Sequence, residues 1–237
     1  LAGLSLVSET LTVFANVSRG ISYPGLETTV LSNLIKPLGK SWEQLSAEEL
    51  DHVEIGVKFS PTSATQIDAS IFNDKVKNRY VFGFPPAVPP PPQFINLGSY
   101  RIRGAELAIR QAIGADWTVF GGLTLLDPSI DNLPYTPDRA FTVGVNGQAG
   151  PIRVAFDAQY QSEVWALNRA RAAGAINTDK VDGFTVANLR LSYPLPALGK
   201  KGEVFVFVEN LFDASYAYRP GYPMPGTSGQ LGLSASF

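Results

Sequence analysis

The sequence predicts an all-β fold, an antiparallel transmembrane β-barrel, and three observations carry that prediction. Successive stretches alternate apolar and polar residues with period two, which gives each strand one greasy and one polar face. The connections between those stretches alternate between short and long along the whole chain. No uninterrupted run of about eighteen apolar residues is present to cross a bilayer as a helix. A soluble sandwich has no reason to sort its loops by length, whereas an outer-membrane barrel keeps short turns on the periplasmic side and long loops outside.

Taken in order, Leu11, Val13, Ala15 and Val17 alternate with Thr12, Asn16 and Ser18. The clearest strand is His52 to Phe59, where Val53, Ile55, Val57 and Phe59 point one way and His52, Glu54, Gly56 and Lys58 the other. A helical period of 3.6 would not sort them so. Ile67, Ala69 and Ile71 oppose Gln66, Asp68 and Ser70; Ile152, Val154, Phe156, Ala158 and Tyr160 oppose Arg153, Asp157, Gln159 and Gln161. Further strands are predicted at Tyr100 to Arg110, Trp117 to Leu126, Phe141 to Asn146, Thr185 to Tyr193, Val204 to Asn210 and Gln230 to Phe237, ten in all. Around Gly104 the parity admits two readings: either a bulge carries Arg101 and Arg103 to the other face, or both arginines stand beyond the bilayer.

Short connections fall at Ser60 to Ala64, Gln111 to Ala115, Gly147 to Pro151 and Pro194 to Gly202, each of which carries turn formers from the set Gly, Pro and Asn. Long ones fall at Gly20 to Glu49, Tyr80 to Asn96, Asp127 to Arg139, Ser162 to Gly183 and Leu211 to Gly229. Phe59, Trp117, Tyr160 and Tyr193 stand near the ends of apolar rows, where membrane-interface rings belong. The prolines between Phe82 and Phe94 favour an extended polyproline segment, a stiff flap or a plain surface loop, and Asn168 to Ala175 has the composition of a short helix.

Composition sets the outer limits. The chain has 237 residues, 45% hydrophobic and 17% charged, which is the range of a folded domain. Nineteen basic and twenty-one acidic residues are dispersed rather than gathered in a stripe, so no nucleic-acid partner is expected. The absence of cysteine removes disulfides and thiol chemistry, and a single histidine leaves little for zinc or acid–base work. No enzyme activity and no cofactor are expected. Leu1 falls within what reads as ongoing sequence, so the chain reads as a mature region or a fragment.

Motifs along the chain add a resemblance. The closing stretch Leu231, Leu233, Ala235 and terminal Phe237, alternating with Gln230, Gly232, Ser234 and Ser236, resembles the last strand of bacterial outer-membrane proteins, whose terminal aromatic is read by the barrel-assembly machinery. Val206 to Asp213, Tyr216 and Tyr218 to Gly226 resemble the closing region of TonB-dependent receptors for iron chelates. Val17 to Gly20 with Tyr23 to Gly25, Glu54 to Lys58, Val76 to Tyr80, Asn96 to Glu106 and Pro134 to Arg139 are similar to earlier segments of the same family, in the family's order, and the similarity runs from about Leu11 to Phe237. The family carries Arg and an aromatic before its final strand where this chain has Thr227-Ser228-Gly229, which predicts a looser local pairing.

The resemblance implies a bacterial outer-membrane receptor whose barrel has about 22 strands. Residues 1–237 would then be its C-terminal part, about ten strands, with the plug domain and the first half of the barrel absent. It also implies uptake of a ferric siderophore or similar iron chelate, gated by the TonB complex pulling on the missing plug, with iron present only as chelated ligand. Candidate ligand contacts are the loop rings and cations Tyr23, Trp42, Tyr80, Trp165, Arg169, Arg171, Tyr218 and Arg219, since Arg forks and aromatic faces suit anionic chelates. Loop aromatics packing on one another, and arginines facing water or lipopolysaccharide, stand beside that reading. The lumen charges Glu54, Lys58, Asp68, Glu106, Arg110, Arg153, Asp157 and Arg190 either form cross-strand ladders or meet the plug. Rival readings are a self-contained ten-stranded pore, a barrel hydrolase using Asp51-His52, and a soluble carbohydrate-binding sandwich.

Overall fold

The structure, a computed structural model, describes residues 2–23, 25, 46–83, 93–166, 179–199 and 202–235. The strands are β1 (Ala2–Val7), β2 (Leu11–Ser22), β3 (Glu48–Thr62), β4 (Thr65–Gly83), β5 (Gln93–Ile113), β6 (Trp117–Pro128), β7 (Arg139–Ala149), β8 (Ile152–Gln161), β9 (Val164–Ala166), β10 (Asp179–Val181), β11 (Phe184–Pro194), β12 (Glu203–Glu209), β13 (Ala217–Arg219), β14 (Tyr222–Pro223) and β15 (Ser228–Ser234). Two hairpins, β9–β10 and β13–β14, lie within long connections. The other eleven strands form one sheet in chain order, antiparallel at every step. No helix among the described residues is long and apolar enough to cross a membrane, which says nothing of crossing by strands.

The connections sort as the sequence requires. Residues 8–10, 63–64, 114–116, 150–151 and 195–202 join strands at one end, and the strands flanking every long connection meet it at the other. Register fixes the faces. Val13, Val57, Ala69, Leu107, Leu123 and Phe141 form one cross-strand row, and Thr12, Lys58, Asp68, Ala108, Gly122 and Thr142 another on the opposite face. The apolar rows are not packed together: Ile55, Ile71, Leu231 and Leu233 are 55%, 63%, 78% and 70% exposed. A sandwich would bury those side chains in a core, so the sandwich reading falls, and lipid is the solvent that fits them.

One device recurs along the polar face. Phe14, Phe72, Phe120 and Phe205 stand directly opposite Gly56, Gly104, Gly144 and Gly232, and each ring lies over its glycine. On the outer face Trp117 covers Gly147 in the same way. A side chain on the glycine would displace the ring, so these pairs pin the register.

Several expectations are revised. The sheet has eleven strands rather than ten because β1 pairs with Thr12–Val17 of β2. β4 and β5 stay paired well past the apolar band, with Tyr80–Gly83 opposite Gln93–Asn96, so part of the segment read as a loop from Tyr80 to Asn96 is strand. Register is unbroken at Gly104, and the irregularities lie between Val76 and Tyr80, so Arg101 and Arg103 share the outer face with Leu107 and Ile109 and stand above the apolar band. β15 pairs with β12 without interruption from Ser228, and Thr227 is held by Asp213 and the Asn210 carbonyl, so pairing beside Gly226 is not loose. Among the described residues no ladder joins β1 to β15. With eleven alternating strands the first and last run in the same direction, and closing this sheet on itself would need a parallel seam. The self-closing pore thereby loses the even count on which it rested.

Candidate ligand-binding mouth

The polar face encloses a trough of about 860 Å³ lined by Glu54, Lys58, Asp68, Ser70, Glu106, Thr124, Thr142, Gln159 and Gln161, with Phe184 and Tyr218 at its upper end. That size and mixed lining suit a small-molecule ligand. The walls come from strand parity alone, since each named strand residue lies on the polar row of its own strand.

The long connections build a roof at the trough's open end. Leu133, in the β6–β7 connection, turns in and buries against Val76 and Tyr100 of the inner face, flanked by Ile102 and Ile130. Pro134 then bridges to Trp165 of β9, and the Tyr135 amide donates to the Trp165 carbonyl at 2.8 Å. The β9–β10 hairpin packs Val164, Ala166 and Val181 against Ala217 of β13. Three connections far apart in sequence are thus tied together, two through a shared small cluster and the third through main-chain pairing.

Aromatic rings collect where this roof meets the wall. Phe184 lies 4.7 Å from Tyr216 and 5.3 Å from Tyr218 between ring centroids, and Gln159 Nε2 donates to the Tyr218 hydroxyl at 3.2 Å. Burial pushes the Tyr216 hydroxyl above its usual range, with Tyr218 and Glu209 acting in the same sense. The Arg219 guanidinium stands 6.0 Å from the Tyr135 ring, and the Lys180 ammonium 4.6 Å from Trp165, where it also pairs with Glu163. Asn210 anchors the last connection. It is buried and left-handed (φ 50°), its side chain accepts from the Ala214 amide at 2.8 Å, and it donates to the carbonyls of Ala214 and Pro225.

Of the candidate ligand residues, the structure brings Trp165, Tyr218 and Arg219 into this mouth. Tyr23 follows β2 and is 74% exposed, with no partner among the described residues of the roof. The backbone of Tyr80 lies in β4 opposite Asn96, and its side chain is outside the described part. Trp42, Arg169, Arg171 and Phe237 lie outside the described residues, as do most of the proline-rich segment and the predicted short helix. Tyr135, Phe184, Tyr216 and Lys180 also stand in this mouth and were not among the candidates. Tyr135 and Tyr216 each lie in a motif of the sequence, and Tyr135 takes a left-handed backbone (φ 54°).

The lumen charges form ladders in part. Arg190 and Arg153 both reach Glu203, at 2.5 and 3.3 Å, Arg190 lies over the Phe205 ring, and Asn188 donates to Asp157 at 3.0 Å. The Asp51-His52 pairing fails. Asp51 faces outward and binds Arg19, while His52 faces inward with Nδ1 2.6 Å from Asp74 and Nε2 3.6 Å from Glu54. Ser18 stands opposite His52 in register, but no hydrogen bond joins them, so no nucleophile–base pair forms. Among the described residues no group of three His, Cys, Asp or Glu side chains is placed to hold a metal ion.

Comparisons with known proteins place this geometry. The profile of the family described as TonB dependent receptor-like, beta-barrel matches residues 2–211. The catecholate siderophore receptor Fiu of Escherichia coli is 30% identical over 148 residues, 53% of this chain and 19% of that protein. A crystal structure of a ferric enterobactin receptor variant from Pseudomonas aeruginosa, in complex with enterobactin, superposes with a TM-score of 0.77 at 18% identity, over 99% of this chain and 40% of that one. The closed form of the Escherichia coli receptor gives 0.69 at 23% identity over 96% and 33%, and the copper transporter OprC 0.76 at 20% over 98% and 37%. At such identities the structural likeness shows the fold. This chain spans about a fifth of the length of the curated relatives it matches.

Proposed function

This chain belongs to the TonB-dependent receptor family, as part of its β-barrel, and from that premise we propose that it forms one wall of an outer-membrane receptor that binds a ferric siderophore and admits it by TonB-coupled gating. The observation that carries the reading is the group of rings and cations, Tyr218, Phe184, Tyr216, Arg219, Tyr135 and Trp165, gathered over a polar trough in a chain 30% identical over half its length to a catecholate siderophore receptor. Rings of this kind stack on aromatic chelating arms, and Arg219 offers a fork to their oxygens. Tyr23, Trp42, Tyr80, Arg169 and Arg171 remain proposed contacts from the long connections.

The chain's part is to bind and to hold its ligand at the mouth, with no covalent chemistry. Gating requires the ligand to interact differently with closed and open receptor, and the force comes through the plug and the TonB complex. Leu231, Leu233, Ala235 and Phe237 serve recognition by the barrel-assembly machinery, and the outer face meets lipid and lipopolysaccharide.

Titration of the intact receptor with ferric catecholate, ferric hydroxamate and ferric citrate, followed by intrinsic fluorescence, tests the reading. Tyr218→Ala should weaken the preferred chelate about 10-fold or more, the scale of an aromatic anchor lost from a binding site. If none of the three binds the unaltered receptor, the iron-chelate reading fails.

A further inference from the structure

We infer that Lys75, Arg101 and Arg103 form a docking site on the outside of the barrel for the phosphate-bearing headgroup of an outer-leaflet lipid. The inference rests on the reading of this sheet as membrane-embedded and is independent of which chelate enters the mouth. Register places the three side chains together. Lys75 stands directly opposite Arg101, and Arg103 stands opposite Asn73, one outward step closer to the apolar band. The next outward pair below is Ile71 opposite Ala105, followed by Ala69 opposite Leu107. Outward residues on one strand are about 7 Å apart along it. The cations therefore occupy the first two tiers above hydrocarbon, where lipid phosphates lie.

Neighbouring charges sharpen the site. Arg19 pairs with Asp51, and Lys77 with Glu49 at 3.3 Å and Asp51 at 3.4 Å, so that flank is neutralised within the protein. The side chains of Lys75, Arg101 and Arg103 are all exposed, and none has an ion pair or hydrogen bond among the described residues. Asp127 stands opposite Arg103, and Asp51, already bound to Arg19 and Lys77, stands opposite Lys75, and neither closes an ion pair with the cation it faces. Three cations against the one further carboxylate of Asp127 leave this lipid-facing surface net positive at headgroup height, complementary to a multiply charged phosphorylated headgroup. Long stems laid along the apolar row bring their charges to that level. The guanidinium fork of an arginine also matches phosphate oxygens two at a time.

The test uses the intact receptor in nanodiscs of phosphatidylcholine doped with bis-phosphorylated lipid A, its monophosphoryl form or phosphatidylethanolamine, with retained lipid counted by native mass spectrometry. The unaltered protein should prefer bis-phosphorylated lipid A over both others. The triple variant Lys75→Gln, Arg101→Gln, Arg103→Gln should lose retention about 100-fold, since each surface cation contributes roughly 5-fold to binding of anionic lipid. Exchanging the same positions as Lys75→Arg, Arg101→Lys, Arg103→Lys should keep most of it, which separates charge from folding. Arg153→Gln, on the inner face, should change nothing. Equal retention by the triple Gln variant, or no preference for the second phosphate, overturns the site while leaving the barrel reading intact. Failure of the unaltered protein to enter nanodiscs overturns both.

Discussion

A methyl group added at Gly144 would stand 2.3 Å from Cζ of Phe120, 2.7 Å from its Cε1 and 2.8 Å from the Phe156 carbonyl oxygen. Carbon pairs rest at about 3.5 to 4.0 Å, so the ring would have to withdraw by more than about 1 Å, and the carbonyl contact would persist because backbone cannot swing aside. Overpacking of this kind costs about 1 to 3 kcal/mol, against a gain of about 0.5 to 1 kcal/mol from removing glycine's freedom in a strand. Gly144→Ala should therefore lose about 1 kcal/mol, and at most about 2.5 kcal/mol. Gly122 supplies the control, since it lies on the same face and its added methyl would meet only the Leu107 carbonyl oxygen at 3.8 Å. Gly122→Ala should be neutral or slightly stabilising. Urea unfolding of the receptor in lipid vesicles, read by tryptophan fluorescence and gel mobility, measures both. Adding Phe120→Ala to Gly144→Ala should recover part of the loss as a coupling of about 1 kcal/mol. If Gly144→Ala matched Gly122→Ala, the claim that ring-over-glycine pairs hold the register would be wrong.

Other perturbations probe the faces and the roof. Leu107→Arg should destabilise by about 2 to 4 kcal/mol in lipid and Ala108→Arg by far less, because adjacent residues face hydrocarbon and lumen respectively; equal costs would refute the assignment of faces. Asn210→Ala strips partners from the amide of Ala214 and the carbonyls of Ala214 and Pro225 and leaves a left-handed backbone on alanine, so limited proteolysis should cut within residues 211–227 while the sheet persists. Glu203→Gln leaves Arg190 and Arg153 facing each other and should cost about 1 kcal/mol at low salt, a difference that shrinks at high ionic strength. A cost unchanged by salt would show that packing of Arg190 on Phe205 carries the effect.

Strand parity was legible because it is local. His52 to Phe59 sorts its side chains without reference to any neighbour, and register then carries the same sorting from strand to strand. What depends on the partner strand was not legible. β1 is only six residues long, and its place is set by pairing with β2. The true acid beside His52 is Asp74, twenty-two residues on but directly across the ladder, whereas adjacent Asp51 is on the other side of the sheet. Arg101 and Arg103 were ambiguous until unbroken pairing with β4 fixed their side. In the mouth, Trp165, Tyr218 and Arg219 were recognisable by residue type and loop position. Tyr216 shares that residue type and loop position but was not singled out, and Phe184 was not recognisable, because its role comes from contacts between the last connection and the top of β11.

The roof has an implication for how such receptors change what they recognise. Tyr135 is tied to Trp165 through the main chain, and the Val164, Ala166 and Val181 cluster is completed by Ala217 from the final connection. A single transplanted loop would arrive without the neighbours that give it shape, leaving an amide or a greasy patch unanswered. New preferences should therefore come either from point changes at ring and cation positions or from exchange of all three connections together, as one inherited unit.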